Sequence, residues 1–169
     1  MQYSIVNYRA IQSQPDVRID ADYYSPLFLN IENRLADLKS KEFNYFIDLI
    51  TDGKHGGVTF TENGVRFLRN TNVKEFLIDN AEILYISDKE SNETKRAEVS
   101  QGHILYTSIG TIGEALVVPQ QITRANINQN LVKIVIKKDF SPYYITSFLN
   151  SKYGKSQSIR LGGGNVQGL

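Results

Sequence analysis

The chain has 169 residues, 41% hydrophobic and 11% aromatic, enough for one domain with a substantial core. Charged residues make up 22% and the net charge is +1, which excludes a disordered tail and a uniformly basic DNA-coating protein, so any surface for nucleic acid must be local. There is no cysteine, which excludes disulfides, thiolate zinc sites and cysteine nucleophiles together.

In chain order, Tyr3 to Tyr8 (YSIVNY) reads as a short strand, and Gln12 to Tyr24 as a polar connection that Pro15 keeps irregular. Ser25-Pro26 then opens a helix. Serine caps free amides and proline fits the first turn, and Leu27, Ile31, Leu35 and Leu38 follow at helical spacing, so an amphipathic helix is expected over residues 26–39. Phe43 to Ile50 is apolar but too short for its period to separate strand from helix, and it runs into the glycine-rich Thr51 to Gly57, flexible by composition. Val58 to Phe60, the turn Glu62-Asn63-Gly64 and Val65 to Leu68 look like a hairpin around an Asn-Gly turn.

Glu82 to Ser87 reads as a further strand and Asp88 to Glu98 as a solvated helix or loop. His103 to Ser108, Glu114 to Val118 and Leu131 to Ile136 are rich in β-branched and aromatic residues. Gly110-Thr111-Ile112-Gly113 joins the first two, as a tight turn that needs positive φ. Ser141-Pro142 repeats the earlier helix start, and Ile145, Phe148, Leu149 and Tyr153 carry one helix over residues 142–158. The expected fold is α+β: a curved, mainly antiparallel β-sheet with flanking helices. No signal peptide and no run of roughly 20 apolar residues is present, so the expected location is the cytoplasm, with no membrane contact.

Catalytic chemistry finds little support. The two histidines, His55 in the glycine-rich loop and His103 at a strand start, have no nucleophilic motif around them, so a small hydrolase built on either is the weakest reading. Two distant histidines without cysteine make no zinc pattern, and the glycine-rich stretches match neither phosphate-binding loop nor dinucleotide fingerprint. No metal, no cofactor and no enzymatic activity are expected.

Charge distribution says more than the total. Residues 1–50 carry five Lys/Arg against seven Asp/Glu, and residues 51–169 fourteen against eleven. Lys133, Lys137, Lys138, Lys152, Lys155 and Arg160 face the single acid Asp139 in their stretch and are interleaved with tyrosine, serine and glutamine, a mixture that suits phosphate contact. Lys54, Arg66, Arg69 and Lys74 surround the first glycine-rich loop with His55, Asn63, Asn70 and Asn72. Arginine pairs bidentately with guanine and asparagine with adenine, so such loops suit major-groove reading; the bland alternative is a solvated face with turn asparagines.

Five segments taken together narrow the choice: Gly53-Lys54-His55-Gly56-Gly57-Val58, Phe67-Leu68-Arg69-Asn70-Thr71-Asn72-Val73, Gly102 to Gly113 (GHILYTSIGTIG), Ala125-Asn126-Ile127-Asn128-Gln129-Asn130, and Gly162 to Leu169. Their order and spacing resemble the target-recognition domain of type I restriction-modification specificity subunits. The resemblance covers residues 43–169, with residues 1–42 as a lead-in of strand and helix, and the chain is expected to stop where a spacer helix would begin.

The resemblance implies a domain that reads one half of a bipartite double-stranded DNA target and catalyses nothing. Methyltransferase and restriction subunits of the same complex, and a second recognition domain, are the implied partners. No Asn/Asp-Pro-Pro-Tyr/Phe methyltransferase motif occurs. Lys54, His55, Arg66, Arg69 and Arg124 are the candidates near the groove, and Lys152, Lys155, Arg160, Asn165 and Gln167 for the DNA backbone or neighbouring bases. The alternative is a protein-interaction module that docks a methyltransferase subunit with little DNA binding.

Overall fold

The computed structural model describes residues 4–12 and 18–162, so Tyr3, Pro15, Asn165 and Gln167 lie outside the described residues. Where a strand was expected over Tyr3 to Tyr8, residues 4–7 are irregular and pair with no strand among the described residues, and a short helix α1 (Tyr8–Gln12) follows, with Asn7 Oδ1 accepting the Arg9 amide at 2.9 Å. The β-propensity of the segment has no neighbouring strand there to pair with. Helix α2 (Pro26–Asp37) starts where expected with Pro26 in its first turn, but Ser25 contributes its backbone carbonyl, not its hydroxyl, to the cap.

A 3-10 turn (Phe43–Tyr45) leads into β1 (Ile47–Asp52), followed by β2 (Phe60–Thr61), β3 (Val65–Leu68), β4 (Val73–Lys74), β5 (Leu77–Ile78) and β6 (Leu84–Ile86). Then come α3 (Asp88–Glu93), a 3-10 turn (Lys95–Ala97), β7 (Glu98–Val99), β8 (Ile104–Thr107), β9 (Ala115–Val117), β10 (Ala125–Ile127) and β11 (Leu131–Ile136). Helices α4 (Pro142–Asn150) and α5 (Lys152–Leu161) complete the described chain. The expected α+β class and mainly antiparallel pairing hold, spread over two larger sheets and a two-stranded β4-β5 hairpin. One large sheet has the order β1-β11-β8-β9; the other, β2-β6-β3-β10-β7, contains one parallel pair, β3 with β10.

Alternation along the strands divides the core. Leu105 and Leu131 face the second sheet, where Leu68, Val99, Ala125 and Ile127 meet them; Ile104 and Ile134 face the opposite way, onto Ile145 and Leu149 of α4. The same alternation turns Lys133, paired with Leu105, into the space between the sheets. Its side chain is not part of a basic surface, as its sequence neighbours suggested: the residue is 6% exposed, and Nζ donates to the Arg96 and Glu98 carbonyls at 2.7 and 2.8 Å. Burial holds its pKa below the ordinary lysine value, with Glu98 opposing.

Three local expectations give way to longer-range contacts. Residues 58–68 do not form a hairpin, because β2 and β3 both pair with β6, which lies between them with Ile86 opposite Phe60 on one side and Val65 on the other. Gly64, at φ +135°, lets the Ile86 carbonyl come to 2.4 Å from where a Cβ would stand. The expected helix over 142–158 is two helices: Ser151 leaves helical geometry and caps α5 by accepting the Gly154 amide, and Gly154 lies against the Phe148 and Leu149 carbonyls. Finally, the glycine-rich 51–57 stretch is pinned at its start, since Gly53 donates to the Leu131 carbonyl at 3.0 Å and Lys54 to that of Ile127 at 2.8 Å.

Candidate nucleic-acid interface

Strands β1, β3, β8 and β10 all end, and β11 begins, at one end of the two-sheet sandwich. Asp52 pairs with Val132, Leu68 with Ile127 and Thr107 with Leu131. Their loops therefore converge. Asn70 Nδ2 donates to the Ile109 carbonyl at 3.4 Å, Asn130 Nδ2 to Asn70 Oδ1 at 3.5 Å, and the Ser108 hydroxyl to the Asn130 carbonyl at 3.1 Å. Gly110 and Gly113 take the positive φ the turn requires, at +86° and +93°, and a Cβ on Gly110 would stand 2.9 Å from Asn70 Nδ2. Four of the five segments that carry the sequence resemblance thus have parts that meet at this end, and of the fifth only Gly162 is described.

The candidate cations differ in how firmly the chain already holds them. Arg124 is a clamp: Nε meets Glu98 at 2.9 Å, one terminal nitrogen meets Asp88 at 2.8 Å, and the other meets Ser91 Oγ and Asn92 Oδ1, both at 2.8 Å. Together with the buried Asn126, which bonds Ser91 and Thr94, it ties α3 to the outer face of the second sheet, so the stretch expected to be solvated is held along one face. Lys54 belongs to the same clasp, its ammonium on Glu90 with the side chain only 15% exposed; that contact, opposed by partial burial, holds the Glu90 carboxyl below its ordinary range.

Arg160 is also committed. Its guanidinium donates to the Tyr23 carbonyl at 2.9 Å, pairs with Glu32 at 3.0 Å and lies 4.2 Å from the Tyr23 ring centroid, with its side chain 9% exposed. It fastens the N-terminal lead-in to α5. By contrast, His55 with Asp52, Arg96 with Asp52, and Lys155 with Glu75 are solvent-facing pairs. Exposed pairs are worth roughly 0–1 kcal/mol, so a phosphate can take over Arg96 or Lys155, which is not true of Lys54, Arg124 or Arg160. His55 and Arg96 both hold the Asp52 carboxyl below its ordinary range.

Arg69 stands at the loop end of β3, donating to the Glu82 carbonyl at 3.1 Å with the Glu82 carboxylate at 3.6 Å, while its Nε and the nearby Asn128 Oδ1 are buried atoms with no hydrogen-bond partner among the described residues. Among the described residues Arg66 makes no ion pair or side-chain hydrogen bond, but it lies within β3, opposite Tyr85 and Ala125, set back from the loops. Lys152 is exposed, its Nζ 5.2 Å from the neighbouring Tyr153 ring centroid. Arg96 was missed in the sequence because its partners, Asp52 and the Gly53 carbonyl, are distant along the chain.

Neither histidine is hydrogen-bonded to a hydroxyl among the described residues, and no group of three His/Cys/Asp/Glu there could hold a metal. Among the described residues no helix is long and apolar enough to cross a membrane. His103 has a structural part: its Nδ1 accepts the Ser100 amide at 3.2 Å, and burial, with Lys133 nearby, holds its pKa below the ordinary value of 6.5. Between that lowered value and 6.5 the unfolded chain binds the proton and the folded chain does not. This contribution to stability is complete above pH 6.5 and is lost as pH falls through the window beneath it. His103→Asn, which keeps an acceptor near Nδ1, is expected to flatten that acid limb in melts between neutrality and mild acid; parallel curves for the two proteins would contradict it.

No family model and no curated protein matches the sequence. Solved structures do. The fold is similar to that of the HsdS subunit from Thermoanaerobacter tengcongensis, with a TM-score of 0.55 and 12% identity over 82% of this chain and 36% of that one. It is also similar to a chain from a structure concerned with complex assembly and conformational transition of the type I R-M system, with a TM-score of 0.51 and 12% identity over 92% of this chain and 39% of that one. The chain spans well under half the length of either. The likeness is one of fold: an α+β domain, as expected from the sequence. More particularly, it has the fold found in the HsdS subunits of type I restriction-modification systems.

Proposed function

We propose that this domain reads a specific double-stranded DNA sequence through the convergent loop end, as one recognition half of a type I restriction-modification specificity subunit, and catalyses nothing itself. The observation that carries the reading is the convergence of Gly53-Lys54, Asn70, Ser108 to Gly110 and Asn128 to Asn130 at one end of a fold shared with HsdS structures. Residues 43–169 form the recognition unit and residues 1–42 the lead-in. Methyltransferase and restriction subunits, with a second recognition domain, complete the assembly.

In this reading Arg69, Asn70 and His55 approach base edges from the loop end, and Lys152 and Lys155 of α5 contact phosphate. Lys54, Arg124 and Arg160 act as supports behind them. Lys152→Ala should weaken binding to all duplexes about equally and lower the slope of log affinity against log salt by about one unit. Titrating a cognate and a scrambled duplex at two salt concentrations checks this; an unchanged slope would remove Lys152 from the backbone contacts.

A second reading, docking of a methyltransferase subunit with little DNA binding, is favoured by a different feature. An apolar cavity of about 530 Å³, lined by Phe43, Phe46, Tyr106, Tyr144, Phe148 and Leu161 among others, opens between the helices and the first sheet. Salt-insensitive association with such a subunit and no affinity for duplex DNA would favour it over the first reading.

A further inference from the structure

The β4–β5 hairpin carries an aromatic side chain where backbone chemistry asks for glycine. Phe76, at its tip, has φ +64°, a conformation that L residues with bulky side chains seldom hold. The hairpin cannot relax out of it easily. Val73 is fully buried at its root, and the Phe76 amide donates at 3.1 Å to the Ala115 carbonyl, which also accepts Asn150 Nδ2 at 2.8 Å. Beside the tip, Glu75 is paired with Lys155. Yet Phe76 is 59% exposed and its neighbour Leu77 55% exposed, so neither side chain repays the strain by packing inside the chain. A strained backbone that presents unburied apolar groups points outward, to a partner.

The position of the tip identifies that partner's chemistry. Ala115 opens β9 directly after the 108–114 loop, so the tip stands beside the convergent loop end. Lys74 is exposed next to it, Lys155 meets it through Glu75, and Lys152, three residues earlier on α5, shares the Lys155 face. An apolar wedge between cations able to hold phosphates suits a stacked base step. Glu75 is the acid at the tip, and with Lys155 between it and the duplex its charge would be held off the phosphates by a cation that contacts both.

Resting on the reading of this end as a DNA site, we propose that Phe76, backed by Leu77, inserts between adjacent base pairs of the bound duplex, unstacking one step and kinking the helix there. The hairpin would then add recognition by deformability to recognition by base edges, since steps that unstack readily would be preferred.

The test uses the whole chain and the tightest-binding duplex enriched from a randomised pool, end-labelled for energy transfer and, in separate preparations, carrying 2-aminopurine at successive steps. Wild-type protein should shorten the end-to-end distance and brighten 2-aminopurine at one step. Phe76→Gly should lose both signals and bind roughly tenfold more weakly, as loss of an aromatic stack predicts. Its melting temperature should equal or exceed that of wild type, because glycine relieves the left-handed backbone. Unchanged bending by Phe76→Gly would overturn the proposal. So would a clear fall in its melting temperature, which would make Phe76 a packing residue, or intact DNA behaviour with lost binding to a methyltransferase subunit, which would make the tip a protein dock. Wild-type binding without a kink would overturn the wedge alone, whereas failure to bind any duplex would overturn the DNA reading with it.

Discussion

Gly53→Ala is expected to destabilise the domain by about 3 kcal/mol or more, beyond the usual range for overpacking by one methyl group. An added Cβ would stand 2.1 Å from the Asn128 carbonyl oxygen and 2.4 Å from that of Ile127, and both are backbone atoms in a stitched turn that cannot swing aside. Relief requires the end of β1 to part from the β10–β11 turn. That movement breaks the Gly53–Leu131 and Lys54–Ile127 backbone bonds and pulls Lys54 from Glu90. For a domain of this size such a loss lowers the melting temperature by roughly 6–12 °C. Gly57→Ala is the control in the same segment, since nothing lies within 4 Å of its added methyl and its φ is ordinary. Thermal melts of the two variants should separate clearly; equal curves would show that the turn is looser than its contacts indicate.

Arg69→Ala should cost roughly 1–3 kcal/mol on the cognate duplex, about 5- to 150-fold in affinity, and much less on a mismatched one. The argument is positional. Arg69 stands at the loop end of β3, held among the described residues only by Glu82, through its carbonyl and a 3.6 Å contact to its exposed carboxylate, whereas Arg66, three residues earlier, sits within the strand between Tyr85 and Ala125. Arg66→Ala should therefore leave the preference among duplexes unchanged. Competition between cognate and scrambled DNA, alongside melts that confirm both variants are folded, checks the contrast. If Arg66→Ala relaxes the preference and Arg69→Ala does not, the reading face lies elsewhere on β3.

Elements whose determinants are local were legible in the sequence. Helix α2 follows from Ser25-Pro26 and the spacing of its apolar residues, and β11 from Leu131 to Ile136 was legible to the residue. Elements decided by distant partners were not. The Asn63-Gly64 turn suggested a hairpin, but the partner of both flanking strands is β6, some twenty residues downstream by sequence, and nothing near the turn announces it. Strand β10 is three residues long with a central asparagine, a poor strand former, kept there because Ser91 and Thr94 satisfy its buried amide. Likewise the break at Ser151 depends on Gly154 fitting against carbonyls of the preceding helix, a contact that helical periodicity does not encode.

The site divides in the same way. The loops were legible as motifs because glycine and asparagine mark special backbone positions. Which cations remain available was not, because Arg124 is claimed by Asp88 and Glu98, and Arg160 by Tyr23 and Glu32, from far along the chain. Lys133 illustrates the point most plainly: composition placed it in a basic patch, and strand alternation turned it inward.

The central claim, recognition of a DNA sequence by the loop end, is tested most directly by repeated selection of the 169-residue chain against a randomised duplex pool, with affinity for the enriched sequence measured across salt. The account predicts enrichment of one short motif, bound more tightly than scrambled DNA at every salt concentration, with affinity falling linearly in log salt. Duplexes that emerge with no common sequence, or a pool that is not retained at all, would contradict it.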